Sequence, residues 1–134
     1  MEQMTRTLGI VFGVCTLAAQ LGGCAATPVD TAPSGYFTAA QASRGERRFE
    51  QLCADCHRNV EITRVWFAGS VHRSAGDLYS IMSVTMPQMS PGSLDADQYA
   101  DILAYLLQLN NYPEGDQELP ADPAALANVP IPAP

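Results

Sequence analysis

Apolar and small side chains recur at helical spacing in three stretches of the chain. The first stretch has Ala42, Gly45, Phe49 and Leu52, the second has Leu78, Ile81 and Met82, and the third has Tyr99, Ile102, Leu103, Leu106 and Leu107. Spacing of three and four residues places such side chains on one face of a helix. No stretch alternates apolar and polar residues for long enough to predict a strand. The pattern therefore predicts an all-α fold with about three main helices.

The starts and ends of these helices carry recognisable signals. At each start a capping residue stands three positions before a partner of the capping-box type: Thr38 and Gln41, Ser74 and Asp77, Asp95 and Gln98. Such pairs satisfy backbone N–H groups of the first helical turn. Asn110 and Asn111 end the third helix. Gly45 costs about 1 kcal/mol relative to alanine within a helix, so we expect another backbone or ring to pack closely against it.

The regions outside residues 38–111 have a different composition. Residues 24–37 contain two prolines, a glycine and several small residues, which is typical of a flexible tether. Six of the ten prolines lie in the last 22 residues, so residues 112–134 are predicted to form an extended Pro-rich C-terminal arm. This arm either lies on the domain or dangles from it. Residues 38–111 are the predicted domain.

Residues 1–23 are typical of a lipoprotein signal peptide rather than of a folded element. Arg6 opens the segment, and residues 8–21 are mostly apolar or small but too short to span a bilayer comfortably. The run of residues 21–24 (Leu-Gly-Gly-Cys) resembles a bacterial lipobox, which makes Cys24 the lipidated first residue of the mature chain. An ordinary signal peptide cut near Ala25 or Ala26 is the alternative. We expect a periplasm-facing protein of the bacterial cell envelope, anchored to a membrane, with Ala25 favouring the outer one.

The net charge of the chain limits the classes of molecule that it can bind. The 134 residues carry 14 acidic residues, seven arginines and no lysine, for a formal net charge of −7. An acidic chain without a basic run cannot neutralise a row of phosphates, so the composition argues against nucleic-acid binding. The arginines that follow the signal peptide all lie between residues 44 and 73, and eight acidic residues but no basic residue follow Arg73.

The chemistry is concentrated in the five residues Cys53-Ala54-Asp55-Cys56-His57. A Cys-x-x-Cys-His unit has the spacing that attaches c-type haem, with the two thiols bound to the porphyrin and the imidazole placed under the iron. A redox disulfide and half of a zinc site are the alternatives. The first is typical of a βαβ context, and the second needs a further Cys or His pair, whereas His72 stands alone.

With these motifs the sequence resembles the class I cytochromes c over about residues 36–122. The resemblance depends on Gly45 and Phe49, on the unit Cys53 to His57, on Thr85-Met86-Pro87 followed by Pro91-Gly92-Ser93-Leu94, and on the final helical run from Tyr99 to Leu107. More narrowly, residues 110–116 are similar to the tail of small monohaem cytochromes that accompany quinoprotein and related periplasmic dehydrogenases.

The resemblance implies a site around one covalently bound haem c. Cys53 and Cys56 would attach it and His57 would be the proximal ligand. Met86 matches the sixth ligand, with Met89 as the rival and His72 as a weaker alternative, whereas Met82 is predicted to pack in the core. Trp66 or Phe67 would cover the haem or its propionates, and one of Arg58, Arg64 and Arg73 would pair with a propionate. Gly45 would make room for Tyr105.

Only 28 residues separate His57 from Met86, so we expect one haem edge to be unusually exposed. The implied function is single-electron transfer from a dehydrogenase or other donor to a downstream carrier or oxidase, without enzymatic catalysis. A haem-based sensor or gas-binding protein with a displaceable methionine is the alternative, and a structural subunit of a larger complex is a third. Without lysines, a partner would meet the arginine-bearing side, an apolar surface or the acidic C-terminal part.

Overall fold

A computed structural model describes residues 35–63, residue 67 and residues 73–132 of the chain. All of them belong to one compact unit, residues 31–134. The predicted signal peptide, Cys24, Arg64, Trp66 and His72 lie outside the described residues, and so does most of the predicted tether.

The described residues form five helices. These are α1 (Ala39–Leu52), α2 (Asn59–Glu61), α3 (Ala75–Thr85), α4 (Ala96–Leu109) and α5 (Pro123–Leu126). They include no named strand, only two isolated bridges that pair Phe37 with Glu114 and Ser74 with Pro130. This part of the protein is therefore all-α, and its three long helices correspond to the three predicted stretches. Over the same residues, no helix has both the length and the apolar character needed to cross a membrane.

The predicted caps form, with one difference. The Ser74 hydroxyl accepts the Asp77 N–H at 3.1 Å, and the Asp77 carboxylate accepts the Ser74 N–H at 3.0 Å. At α4, the Gln98 side chain accepts the Asp95 N–H at 3.0 Å. The Thr38 hydroxyl accepts the Gln41 N–H at 3.1 Å, but the Gln41 side chain turns elsewhere. It exchanges two hydrogen bonds of 3.0 and 2.8 Å with the Leu119 backbone, because it is buried beneath the C-terminal segment.

Helices α1 and α4 pack against each other at Gly45. A Cβ atom at this position would lie well inside van der Waals contact with the Asp101 carbonyl and 3.0 Å from the Tyr105 Cβ. The rings of Phe49 and Tyr105 follow on the same side, with their centroids 5.5 Å apart. The prediction that another backbone packs against Gly45 is confirmed, and the space also admits Tyr105.

Charged side chains close one side of this crossing. Asp101 is only 3% exposed, and the Arg44 guanidinium donates to both of its carboxylate oxygens, at 3.1 and 2.9 Å. Arg48 lies 3.4 Å from the same carboxylate, and Arg44 also donates to Glu118 at 3.0 and 2.8 Å. This network, which we call the charged clamp, ties α1, α4 and the C-terminal segment together.

The C-terminal segment packs on the domain instead of dangling from it. Leu119, Leu126 and Ile131 are buried. The Ala75 N–H donates to the Val129 carbonyl at 2.8 Å, and the Ile131 N–H donates to the Arg73 carbonyl at 3.0 Å. The segment is also not extended throughout, because the Asp122 carboxylate caps the short helix α5, with Pro123 at its first position.

The folded part also begins before the predicted domain start at residue 38. Phe37 is fully buried, although the sequence placed it in the flexible tether. The Tyr36 N–H donates to the Pro113 carbonyl at 2.9 Å, and the Gly115 N–H donates to the Phe37 carbonyl at 2.8 Å. Backbone pairing with residues 113–115 therefore holds residues 36 and 37 in place.

Candidate functional site

An open, mostly apolar cavity of about 270 Å³ lies where the end of α1, the end of α3 and the face of α4 meet. Its lining consists of Phe49, Leu52, Cys53, Cys56, His57, Met82, Met86, Pro87, Gln88, Leu94, Tyr99, Ile102 and Leu106. The cavity thus brings the complete Cys-x-x-Cys-His unit and one predicted methionine to the same place.

The Cys-x-x-Cys-His unit is a tight turn at the end of α1. The Cys53 N–H donates to the Phe49 carbonyl at 2.8 Å, which ends the helix. The N–H groups of Cys56 and His57 both donate to the Cys53 carbonyl, at 3.1 and 2.8 Å. Because one carbonyl collects both bonds, the two thiols and the imidazole are held along one wall of the cavity.

The two cysteines are free thiols in unlike surroundings. Cys53 is half-buried and Cys56 is exposed. Burial raises the pKa of the Cys53 thiol above its ordinary value, and the neighbouring Cys56 raises it further. Redox-active Cys-x-x-Cys motifs instead have a lowered thiol pKa, because the thiolate is the nucleophile. The surroundings of Cys53 are thus unlike those of a reactive disulfide motif.

Hydrogen bonds of both its N–H and its carbonyl group hold the Met86 backbone in place. It follows the last residue of α3, and its N–H donates to the Met82 carbonyl at 2.9 Å. Its own carbonyl accepts the Tyr99 hydroxyl at 2.6 Å. Since Tyr99 belongs to α4, this bond joins the Met86 loop to a helix whose residues from Tyr99 to Leu107 are all buried.

The other two methionines near this loop occupy different places. Met89 is 95% exposed and is not among the residues that line the cavity. Met82 is buried, as the sequence predicted, but its side chain also forms part of the cavity wall. The structure therefore brings Met86 to the cavity together with His57, and it leaves Met89 in solvent.

Of the remaining predicted site residues, the structure describes Phe67, Arg58 and Arg73, and none of these three lines the cavity. Phe67 is buried, but its ring packs against Tyr112 at a centroid distance of 5.9 Å and does not line the cavity. Arg58 is paired with Glu61 at 2.7 Å, and Arg73 is exposed and bonds through its backbone to the C-terminal segment. Among the described residues, no three His, Cys, Asp or Glu side chains form a group suited to a metal ion.

The sequence did not predict that Tyr99 contacts the Met86 loop. The helical pattern predicted it to be buried, but nothing in the pattern showed that its hydroxyl would meet the Met86 carbonyl. Gln88 also lines the cavity without any signal in the sequence for such a role, whereas Leu94 belongs to the motif Pro91-Gly92-Ser93-Leu94 on which the resemblance depends. The chain matches no protein-family model, no curated protein and no solved structure.

Proposed function

We propose that this protein is a single-electron carrier with one haem c, bound covalently through Cys53 and Cys56 and ligated by His57 and Met86. The observation that carries this proposal is the lining of one apolar cavity by all four of these residues. The carrier would face the periplasm and be held at a membrane by a lipid on Cys24. It would receive electrons from a dehydrogenase or other donor and pass them to a downstream carrier or oxidase.

The cavity fits a flat apolar group with two points of attachment. Phe49, Ile102 and Leu106 supply an apolar wall, and the thiols stand at its edge on one turn of chain. When bound, haem supplies a one-electron iron couple, and His/Met ligation raises its reduction potential. The apolar wall would keep water from the part of the group that it covers, which would shift the potential in the same direction.

The held position of Met86 favours a carrier over a gas-binding sensor. A displaceable ligand has to move away from the iron, whereas the Met86 backbone is bonded to α3 through its N–H and to α4 through its carbonyl. If His57 and Met86 both ligated the iron of a bound haem, no position would be left open to a substrate. The protein itself therefore transfers electrons and performs no bond chemistry.

The test is the absorption spectrum of protein exported in a host with haem-attachment machinery. Wild type is compared with Met86→Ala and with the matched variant Met89→Ala, in which the exposed methionine is removed. We expect a low-spin spectrum with a methionine-to-iron charge-transfer band in wild type and in Met89→Ala, and no such band in Met86→Ala. An optical titration should give a reversible couple with one electron.

Three results would contradict the proposal. If the exported protein contained no bound haem, it could not be the proposed electron carrier. If the charge-transfer band were lost in Met89→Ala and kept in Met86→Ala, Met89 and not Met86 would be the iron ligand. Carbon monoxide that binds the ferrous wild type at once would show an open iron and favour the sensor.

A further inference from the structure

Residues 122–132 run across the start of α3, and we call them the C-terminal strap. The Ala75 N–H donates to the Val129 carbonyl at 2.8 Å, and the Ile131 N–H donates to the Arg73 carbonyl at 3.0 Å. An isolated antiparallel bridge lies between these two bonds. Main-chain hydrogen bonds in both directions therefore join the strap to the first residues of α3.

Close packing adds to these bonds. Leu126 is fully buried and Ile131 is 6% exposed. Helix α5, which carries Leu126, packs on α3. The two backbones approach so closely at Gly76 that a Cβ atom there would lie 2.7 Å from the Ala127 nitrogen. Glycine permits such a close approach, whereas any other residue would push the strap away from α3.

The strap is also fixed to the rest of the protein. Just before it, the Leu119 backbone exchanges two hydrogen bonds with the Gln41 side chain of α1. At its end, the Pro132 carbonyl accepts the Tyr112 hydroxyl, and Tyr112 follows shortly after α4. Because α1 and α4 form the crossing at Gly45, the strap ties the start of α3 to that crossing.

The opposite end of α3 leads into Met86. The helix has 11 residues, so its two ends lie about 16 Å apart. Towards α1, Met82 and Met86 face the open cavity. Towards α4, the rings of Tyr79 and Tyr99 lie 6.1 Å apart, and the Tyr99 hydroxyl holds the Met86 carbonyl. A helix transmits displacement along its length. The place of Met86 in the cavity therefore depends on where the start of α3 is held.

We propose that the C-terminal strap positions Met86 by fixing the start of α3, and that displacing the strap lets Met86 leave the cavity. This inference deepens the proposed electron-carrier function and rests on it. With the strap seated, Met86 and His57 would both be held as ligands. With the strap displaced, the position of Met86 would be open to a small molecule. Leu126, Ile131 and Gly76 are thus positioning residues, since none of them lines the cavity.

The test compares the holo-proteins of wild type, Leu126→Ala and Leu119→Ala. Both variants remove a buried leucine of the C-terminal segment, but only Leu126 belongs to the strap. Two thermal midpoints are measured for each protein: loss of the methionine-to-iron charge-transfer band, and global unfolding by circular dichroism. In Leu126→Ala, we expect the gap between the two midpoints to widen by at least about 10 °C. In Leu119→Ala the gap should equal that of wild type, even where both midpoints fall.

Carbon monoxide binding and hydrogen exchange measure whether the strap and Met86 are released together. Ferrous Leu126→Ala should bind carbon monoxide at least about tenfold faster than wild type, because binding follows the fraction of open protein. Exchange of the Ala75 N–H, which is bonded to the strap, should accelerate by the same factor. Gly76→Ala should act in the same way with every strap side chain intact. Alanine favours a helix over glycine, so helix propensity cannot cause that effect.

The outcomes separate the strap from the carrier function. Faster exchange at Ala75 with unchanged carbon monoxide binding would show that the strap opens without moving Met86, which overturns the proposal. So would an equal gap between the midpoints in Leu126→Ala and Leu119→Ala. If wild type itself lacks the charge-transfer band, the proposed ligation has failed and the role of the strap fails with it. A wild type that has the band, beside a Leu126→Ala protein with an unchanged gap, refutes the role of the strap alone.

Discussion

The two sides of α4 are built in opposite ways. On one side, α4 meets α1 at Gly45, and the charged clamp closes the contact with paired polar groups. On the other side, Tyr99, Ile102 and Leu106 face an open apolar cavity. At the crossing of α1 and α4, protein atoms fill the contact and pair its charged groups. In the cavity, apolar side chains face an open space instead. The crossing therefore holds together by protein contacts alone, and we predict that the cavity side gains stability from the proposed haem.

The largest effect is expected from removing covalent attachment. In Cys53→Ala/Cys56→Ala, haem should no longer be bound covalently, and the cooperative unfolding transition should be lost, since a domain this small buries only a modest core without the cofactor. Hydrogen exchange should show remaining protection at the α1–α4 crossing and none in α3. Equal protection in α3 and α4 of the haem-free variant would show that the cavity side is stable by itself.

A side chain at position 45 should destabilise the packing of α1 against α4. We expect Gly45→Val to lower the free energy of unfolding by at least about 3 kcal/mol, because the new atoms overlap the Asp101 carbonyl. Gly92→Ala is the matched control. Its φ is +73° and its nearest neighbour, the Ser83 carbonyl oxygen, is 3.6 Å from the added Cβ, so only about 1 kcal/mol should be lost. Denaturant unfolding of both holo-proteins measures the difference, and similar losses would contradict the close packing.

The charged clamp should contribute less than Gly45. Asp101→Asn removes the charge that holds both Arg44 and Arg48, and we expect a loss of about 1 to 3 kcal/mol, since the carboxylate is buried but both arginines are partly exposed. Asp97→Asn removes an exposed carboxylate four residues earlier and should change stability by no more than about 0.5 kcal/mol. Equal values for the two variants in urea unfolding would mean that the clamp adds nothing.

On the cavity side, Tyr99 joins α4 to the Met86 loop. Tyr99→Phe keeps the cavity wall but removes the donor to the Met86 carbonyl, so we expect a loss of about 1 kcal/mol and a charge-transfer band that disappears at a lower temperature. Tyr79→Phe is the matched control, because its hydroxyl makes a longer bond of 3.3 Å, to the Ala96 carbonyl. If both variants keep the band to the wild-type temperature, Tyr99 does not position Met86.

The smallest effect is expected from pH. The Arg44 hydrogen bond holds the pKa of Glu118 below its ordinary value of 4.5. Stability from this pair is therefore present above about pH 4.5 and lost as the pH falls through the lowered pKa. Glu118 is nearly half exposed, so the contribution is well under about 1 kcal/mol. Thermal unfolding of Glu118→Gln should show a weaker acid dependence than that of Glu50→Gln, and identical pH profiles would contradict this.

Local patterns predicted much of the fold. The three long helices, the complete capping box of α3, the Gln98 cap of α4, the end of α4 at Asn110 and the contact at Gly45 all follow from residue type and spacing. The partner of Gln41 did not follow, because Leu119 lies far away in sequence. The α5 helix was missed as well, although Asp122 and Pro123 form a normal helix start.

The sequence by itself determined the helices and the chemistry-bearing residues, since hydrophobic spacing, caps and the Cys-x-x-Cys-His turn act over a few neighbouring residues. Only the tertiary structure decided which methionine reaches the cavity, what holds it, and which charges remain available at the surface. Met86 and Met89 have the same side chain and lie only three positions apart in the sequence, so local patterns do not distinguish them. The Met82 carbonyl that accepts the Met86 N–H is a local helical partner, whereas the Tyr99 hydroxyl that holds the Met86 carbonyl belongs to α4, and contacts between helices exist only once the helices have packed.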